Sequence, residues 1–302
     1  MRLWQRWARL STRPMDTRPL ALVRIAVALV LLGDIAHLVG LGVADDVFRT
    51  YADGGLSAFK GGNYMLTPLG PGAGMGALAV LVVALVCVAT GIGTRPAILV
   101  AVLAYAQLGA LYPPGDRAID RFLRSVLLLL LFSGCHTRWS LGQRLRATAP
   151  MLQCPAWPAD MLRVLLVSIY LNSGIVKAAS MLWLPGSEVP VLYTILADPT
   201  AGRLDHVAWK GVHLPFSVGA TFTLLLELSA PLLLFPRLAP WWGLGGVMLH
   251  LGIAATMGLG IFPWGMLAAY PVLFTHWLPS GRDEAQVGED LVFVPGDNGE
   301  AS

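Results

Sequence analysis

Between Leu20 and Trp277 one apolar run follows another, each close to the length of about 17 to 25 residues that a helix needs to cross roughly 30 Å of hydrocarbon. The runs leave no room for a sizeable soluble domain. Only 13% of the 302 residues are charged, against about 25% in an ordinary soluble domain. The expected fold is all-α, a polytopic transmembrane helical bundle. Spans are predicted at 20–41, 74–92, 96–112, 118–134, 160–180, 216–235, 241–258 and 260–277, about eight in all.

The chain divides into three parts by composition. In residues 1–19, Leu3, Trp4, Trp7 and Leu10 share one helical face and arginines occupy the rest, which predicts an amphipathic anchor in the cytosolic headgroup layer. The first apolar run lacks the short core and small-residue site of a cleaved signal, so an uncleaved first span is expected. Residues 20–278 form the transmembrane domain, and 279–302 read as an acidic disordered tail. The segment 189–216 is too polar to span and predicts a surface or re-entrant cap outside. Short connections carrying Arg95, Arg138, Arg144 and Arg237 alternate with neutral or acidic ones, which puts the amino terminus in the cytosol.

Familiar soluble chemistry is not indicated. The stretch "GPGAGMG" (70–76) precedes a span and lacks the βαβ unit that a dinucleotide loop requires. The six histidines and three cysteines never fall in metal-ligand spacing, so no metal is expected, nor a disulfide framework.

Ionisable groups inside the spans carry the information, because a charge at the bilayer centre costs about 3 kcal/mol on insertion scales. Arg24 and Arg163 lie near the cytosolic boundary, where snorkelling is the plain expectation. Asp34 and His37 share a face ~20 Å beyond the start of their span. Asp120 and Arg124, at i and i+4, open the fourth span from the same side, as an internal ion pair or as part of a pocket wall. In the fifth span Tyr170, Ser173, Gly174 and Lys177 follow i, i+3, i+4, i+7 and make one polar stripe leading outward. Lys177 either snorkels past Trp183 or faces a cavity. Glu227 and His250 lie near mid-membrane, too deep to reach either surface, and groups at that depth normally face the bundle interior. A single buried pocket opening outward is therefore expected, although a structural ion network would look the same.

Four blocks in this order resemble the horizontally transferred transmembrane domain (HTTM) family of bacterial proteins, which includes the membrane part of vitamin K-dependent gamma-carboxylase. They are "RPLALVRIAVALVLLGDI" (18–35), "GDRAIDRFLRSVLLLLLFSGCHTRWSLGQR" (115–144), "IYLNSGIVKAASMLWLPGSEV" (169–189), and "LLLELSAPLLLF" (224–235) with "MLHLGIAATMGLGIFPWGML" (248–267). The resemblance places Lys177 on the lysine that acts as base toward reduced vitamin K, and His250 on a histidine of the membrane core. It implies catalysis by Lys177 and His250, and the intramembrane groups read above, Asp34, His37, Asp120, Arg124, Tyr170, Trp183 and Glu227, are expected around a substrate or cofactor pocket. A lysine in a poorly hydrated pocket is in part a neutral amine, able to take a phenolic proton from a hydroquinone.

The implied cosubstrate is a reduced quinone of the vitamin K hydroquinone type, with O2 and CO2 if carboxylation is retained. The implied partners are the lipid bilayer, a secreted peptide and a small partner protein, with no nucleic acid, at a bacterial inner membrane. Two features depart from the carboxylase. "YPPGDRAIDR" (112–121) has no histidine where that enzyme has a histidine loop, and its large lumenal carboxyl-terminal region has no counterpart. Some bacterial members mature secreted peptide toxins. Two functions are therefore carried forward: a peptide-modifying membrane enzyme with Lys177 as base, and a non-catalytic maturation or export component held together by buried charges.

Overall fold

A computed structural model of the chain describes residues 12–49, 54–56, 72–180, 182–184, 189–203, 209, 211–275 and 277. The anticipated anchor face and the acidic tail lie outside the described residues. The fold is an all-α bundle: α1 (Arg18–Gly40), α2 (Ala44–Phe48), α3 (Ala73–Thr90), α4 (Thr94–Leu111), α5 (Ala118–Leu131), α6 (Leu141–Leu145), α7 (Trp157–Ala179), α8 (Val191–Ala197), α9 (Leu214–Leu228), α10 (Ala239–Thr256) and α11 (Phe262–Ala268). Helices occupy all eight predicted spans. Among the described residues α1, α3, α4 and α7 are long and apolar enough to cross a membrane.

Proline sets where these helices start and where two of them break. Pro19, Pro158, Pro215, Pro240 and Pro263 each sit in a first turn, where the missing N–H has no intrahelical partner to lose. Pro231 does the opposite. Its ring opposes the carbonyl of the residue four before it, Glu227, so α9 ends at Leu228 and the chain continues as a 3-10 turn over Ala230–Leu234. Pro271 likewise stops α11 and leaves Tyr270 opening a 3-10 turn over Tyr270–Leu273. The sixth and eighth predicted spans are thus interrupted helices, and each interruption carries a polar side chain.

The helices pack in two groups. In one, α1, α3, α4 and α5 pack in sequence, with α3 and α4 joined through Gly91 (φ 82°) and Gly93 (φ 53°). In the other, α7 packs on α9 and on the turn after it, while α10 packs on that turn and on α11. The two join where α11 and the 270–273 turn lie against α1, and where α5 meets α7. Leu20, Leu81, Leu123 and Leu166 are fully or almost fully buried in the shared core, whereas Leu29, Val83, Leu103 and Leu225 are more than half exposed on the outer surface. Large apolar residues on the outside are what a lipid-facing surface requires.

One element was not anticipated from the apolar runs. Strands β1 (Pro14–Asp16) and β2 (Gln153–Pro155) pair antiparallel, with Met15 opposite Cys154, and the Thr17 hydroxyl donates to the Met151 carbonyl. They tie the chain before α1 to the chain before α7. The boundary arginines also differ from expectation. Arg24 is completely buried and donates to the carbonyls of Cys135 (2.9 Å) and Trp139 (2.8 Å). Arg163 donates to the Val272 carbonyl (2.6 Å) and the Thr275 hydroxyl (2.6 Å), and pairs with Asp160. Neither snorkels; Arg24 satisfies two carbonyls of the loop after α5, and Arg163 one carbonyl of the 270–273 turn.

Candidate functional site

Lys177 meets its partner from another helix. Its ammonium pairs with Glu227 at the end of α9, donates to Ser173 Oγ one turn back on α7 (3.0 Å), and lies 4.8 Å from the centroid of the Trp183 ring. The side chains are 21% and 7% exposed respectively, so this is a mostly buried pair. Gly174 allows the approach, because a Cβ there would stand 3.0 Å from Leu228 N and 3.1 Å from Glu227 Cβ. A buried pair of this kind offsets its desolvation only through close geometry and further hydrogen bonds, here the one to Ser173. Glu227 Oε2 is buried and has no protein partner among the described residues.

About two turns inward on α7, Tyr170 forms a second polar line. Its hydroxyl lies 2.5 Å from His250 Nε2 on α10 and 2.6 Å from the Tyr270 hydroxyl at the break after α11. Trp242 stands edge-on to Tyr170, with ring centroids 4.9 Å apart, and its indole N–H donates to the Leu226 carbonyl at 3.0 Å. The ring of Tyr270 fits because position 246 is glycine, where a Cβ would meet Tyr270 Cε2 at 2.8 Å. His250 is 1% exposed, and its Nδ1 has no protein partner among the described residues. Tyr170 and Lys177, seven residues apart on one face of α7, join the two lines along that helix.

The remaining predicted residues gather elsewhere, and the expectation of one common pocket is corrected. Asp34 on α1 and Asp120 on α5 are bridged by Arg117, at 2.7 Å and 2.9 Å, and the Tyr105 hydroxyl donates to Asp120 at 2.5 Å. These groups, with His37 and Asp116, line a cavity of about 320 Å³ that Lys177, Glu227 and His250 do not line. The pairing of Asp120 with Arg124 is also corrected. Asp120 caps the start of its own helix by accepting the Arg117 N–H at 2.7 Å, whereas Arg124 forms a two-pronged bridge to Asp116 at 2.7 and 2.9 Å. Burial alone would raise the Asp116 carboxyl; the hydrogen bonds and charges of Arg124 and Arg121 outweigh it and hold the group below its usual range.

The two clusters touch the same short segment. A Cβ at Gly260 (φ 57°) would stand 3.5 Å from Arg117 Nη1, and the Phe262 ring lies 5.6 Å from that of His250. Sequence reasoning missed Arg117, Tyr105 and Tyr270 as members of these clusters. Arg117 stands three residues before Asp120, the spacing of a capping box, and Tyr270 directly precedes a proline inside an apolar run. Both signals were readable.

Among the described residues no cluster of three or more His, Cys, Asp or Glu side chains suits a metal ion. No curated protein and no solved structure matches the chain. The HTTM domain family matches residues 12–277, which takes in every residue of both clusters, and the chain therefore belongs to the HTTM domain family.

Proposed function

We propose that this HTTM protein is a membrane-embedded enzyme of the vitamin K-dependent gamma-carboxylase type, which modifies a secreted peptide at the outer side of the membrane. The single observation that carries this reading is Lys177 Nζ, hydrogen-bonded to Ser173 and paired with Glu227 in a mostly buried site. Such a pair holds a proton that moves between carboxylate and amine without leaving the interior, and a base of this kind does not depend on water.

A reduced quinone fits the residues present. Its phenolic O–H both donates and accepts, and two buried atoms at this cluster, Glu227 Oε2 and His250 Nδ1, have no protein partner among the described residues. When bound, a hydroquinone supplies an acidic O–H and two reducing equivalents. Lys177 takes the proton at Nζ, Glu227 balances the resulting charge, and Trp183 covers the ammonium. The apolar outer surface offers a prenylated cosubstrate entry from lipid. Eight spans with the amino terminus in the cytosol would direct the end of α7 that bears Lys177 outward, and the peptide and a small partner protein would approach from there.

The test is aerobic consumption of menadiol by the purified protein in nanodiscs. Consumption above that of empty nanodiscs supports the reading, and equality with them ends it. One observation favours a second reading. Lys177 and Glu227 join α7 to α9, as an ion pair that merely holds two helices would. A non-catalytic maturation or export component of that kind consumes no hydroquinone.

A further inference from the structure

The line Tyr270, Tyr170, His250 has a direction. Each phenol carries one proton, and in this buried cluster each proton needs an acceptor. The Tyr270 hydroxyl has Tyr170 as its one partner among the described residues. If Tyr270 donates to Tyr170, then Tyr170 donates to His250 Nε2, and the imidazole carries its proton on Nδ1. The reverse order runs from His250 Nε2–H to Tyr170 to Tyr270. It leaves the Tyr270 proton without an acceptor and Nδ1 a bare acceptor. The forward order gives both phenol protons an acceptor and leaves one buried donor, Nδ1–H, with no protein partner among the described residues. A single hydroxyl oxygen satisfies it.

We infer that Tyr270 and Tyr170 fix His250 as its Nδ1–H tautomer, and that this buried N–H is an internal binding point for the oxygen of one hydroxyl group. The imidazole donates to that oxygen. The hydroxyl belongs either to a resident water or to a phenol; only the phenol case rests on the function proposed above. In that case His250 binds the oxygen from which Lys177 takes its proton, and Tyr170 and Tyr270 are positioning residues that act through it.

The test is magic-angle-spinning NMR of the full chain in nanodiscs with isotope-labelled histidine, the His250 signal being identified by its loss in His250→Asn. A protonated Nδ1 with an unprotonated Nε2 is expected. A protonated Nε2, alone or in a doubly protonated ring, overturns the inference. Tyr270→Phe removes the donor that sets the direction and is expected to lower the Nδ1–H population; an unchanged tautomer would contradict the role given to Tyr270.

Menadiol added under argon identifies the occupant. A shift of the Nδ1 resonance supports phenol binding, and His250→Gln, which keeps a group toward Tyr170 but loses Nδ1–H, should then weaken menadiol binding about tenfold. An Nδ1–H tautomer that menadiol leaves unmoved supports the site with water in it, and counts against the hydroquinone reading alone.

Discussion

Gly174 on α7 lies against the backbone of Glu227 and Leu228 on α9 so closely that a Cβ would sit 3.1 Å from the Glu227 carbonyl carbon. This contact sets the separation at which Lys177, three residues on, reaches the Glu227 carboxylate. Gly174→Ala is expected to push the helices apart and lower stability by about 1 to 3 kcal/mol, the usual cost of overpacking. Gly252 on α10 has open space where its Cβ would be, so Gly252→Ala should be neutral or slightly stabilising. Thermal unfolding of the two variants in detergent checks the contrast.

Removing one partner of the buried pair should cost more than removing both. Lys177→Met leaves Glu227 unpaired, with an expected loss of about 3 to 5 kcal/mol, and adding Glu227→Gln should recover most of it. A double variant no more stable than Lys177→Met alone would show that the two residues are not coupled in this way.

Arg24 is expected to hold the loop after α5. Arg24→Met leaves the buried Cys135 carbonyl and the part-buried Trp139 carbonyl without their donor, at about 1 to 3 kcal/mol for the buried one. The buried Cys135 thiol should then react faster with maleimide under native conditions, as read by mass spectrometry. An unchanged labelling rate would mean that the loop is held by other contacts.

Much of the fold was legible from the apolar runs, because a span must be long and apolar whatever it packs against. What these runs hid is local. Pro231 and Pro271 interrupt two runs that remain apolar on both sides, so hydropathy reads through the breaks that place Glu227 and Tyr270. The polar stripe on α7 was readable from its spacing, and Glu227 and His250 from their depth. Their division from Asp34, His37 and Asp120 was not, since depth along a helix says nothing about which neighbour a face meets. Arg24 and Arg163 sat where snorkelling is the plain expectation, but the carbonyls of nearby loops supplied closer partners.

The bridge between Asp116 and Arg124 makes the connection between α4 and α5 acid-sensitive. The folded carboxyl titrates below its ordinary value of 3.8, so its stabilising contribution is fully present above that value and is lost as pH falls through the lowered folded one. Acidification should therefore destabilise the wild type more than Asp116→Asn, which has already lost that contribution at neutral pH. Parallel loss of stability in both proteins would assign the acid sensitivity to other groups.

Lys177→Arg keeps a cation beside Glu227, but a guanidinium stays protonated and accepts no proton. The decisive measurement is the initial rate of aerobic menadiol consumption by folded Lys177→Arg and by the Lys177→Met, Glu227→Gln double variant, set against wild type in the same nanodiscs. A base at Lys177 predicts that both variants fall to the rate of empty nanodiscs while wild type exceeds it. An arginine variant that retains the wild-type rate would contradict the assignment of Lys177 as base.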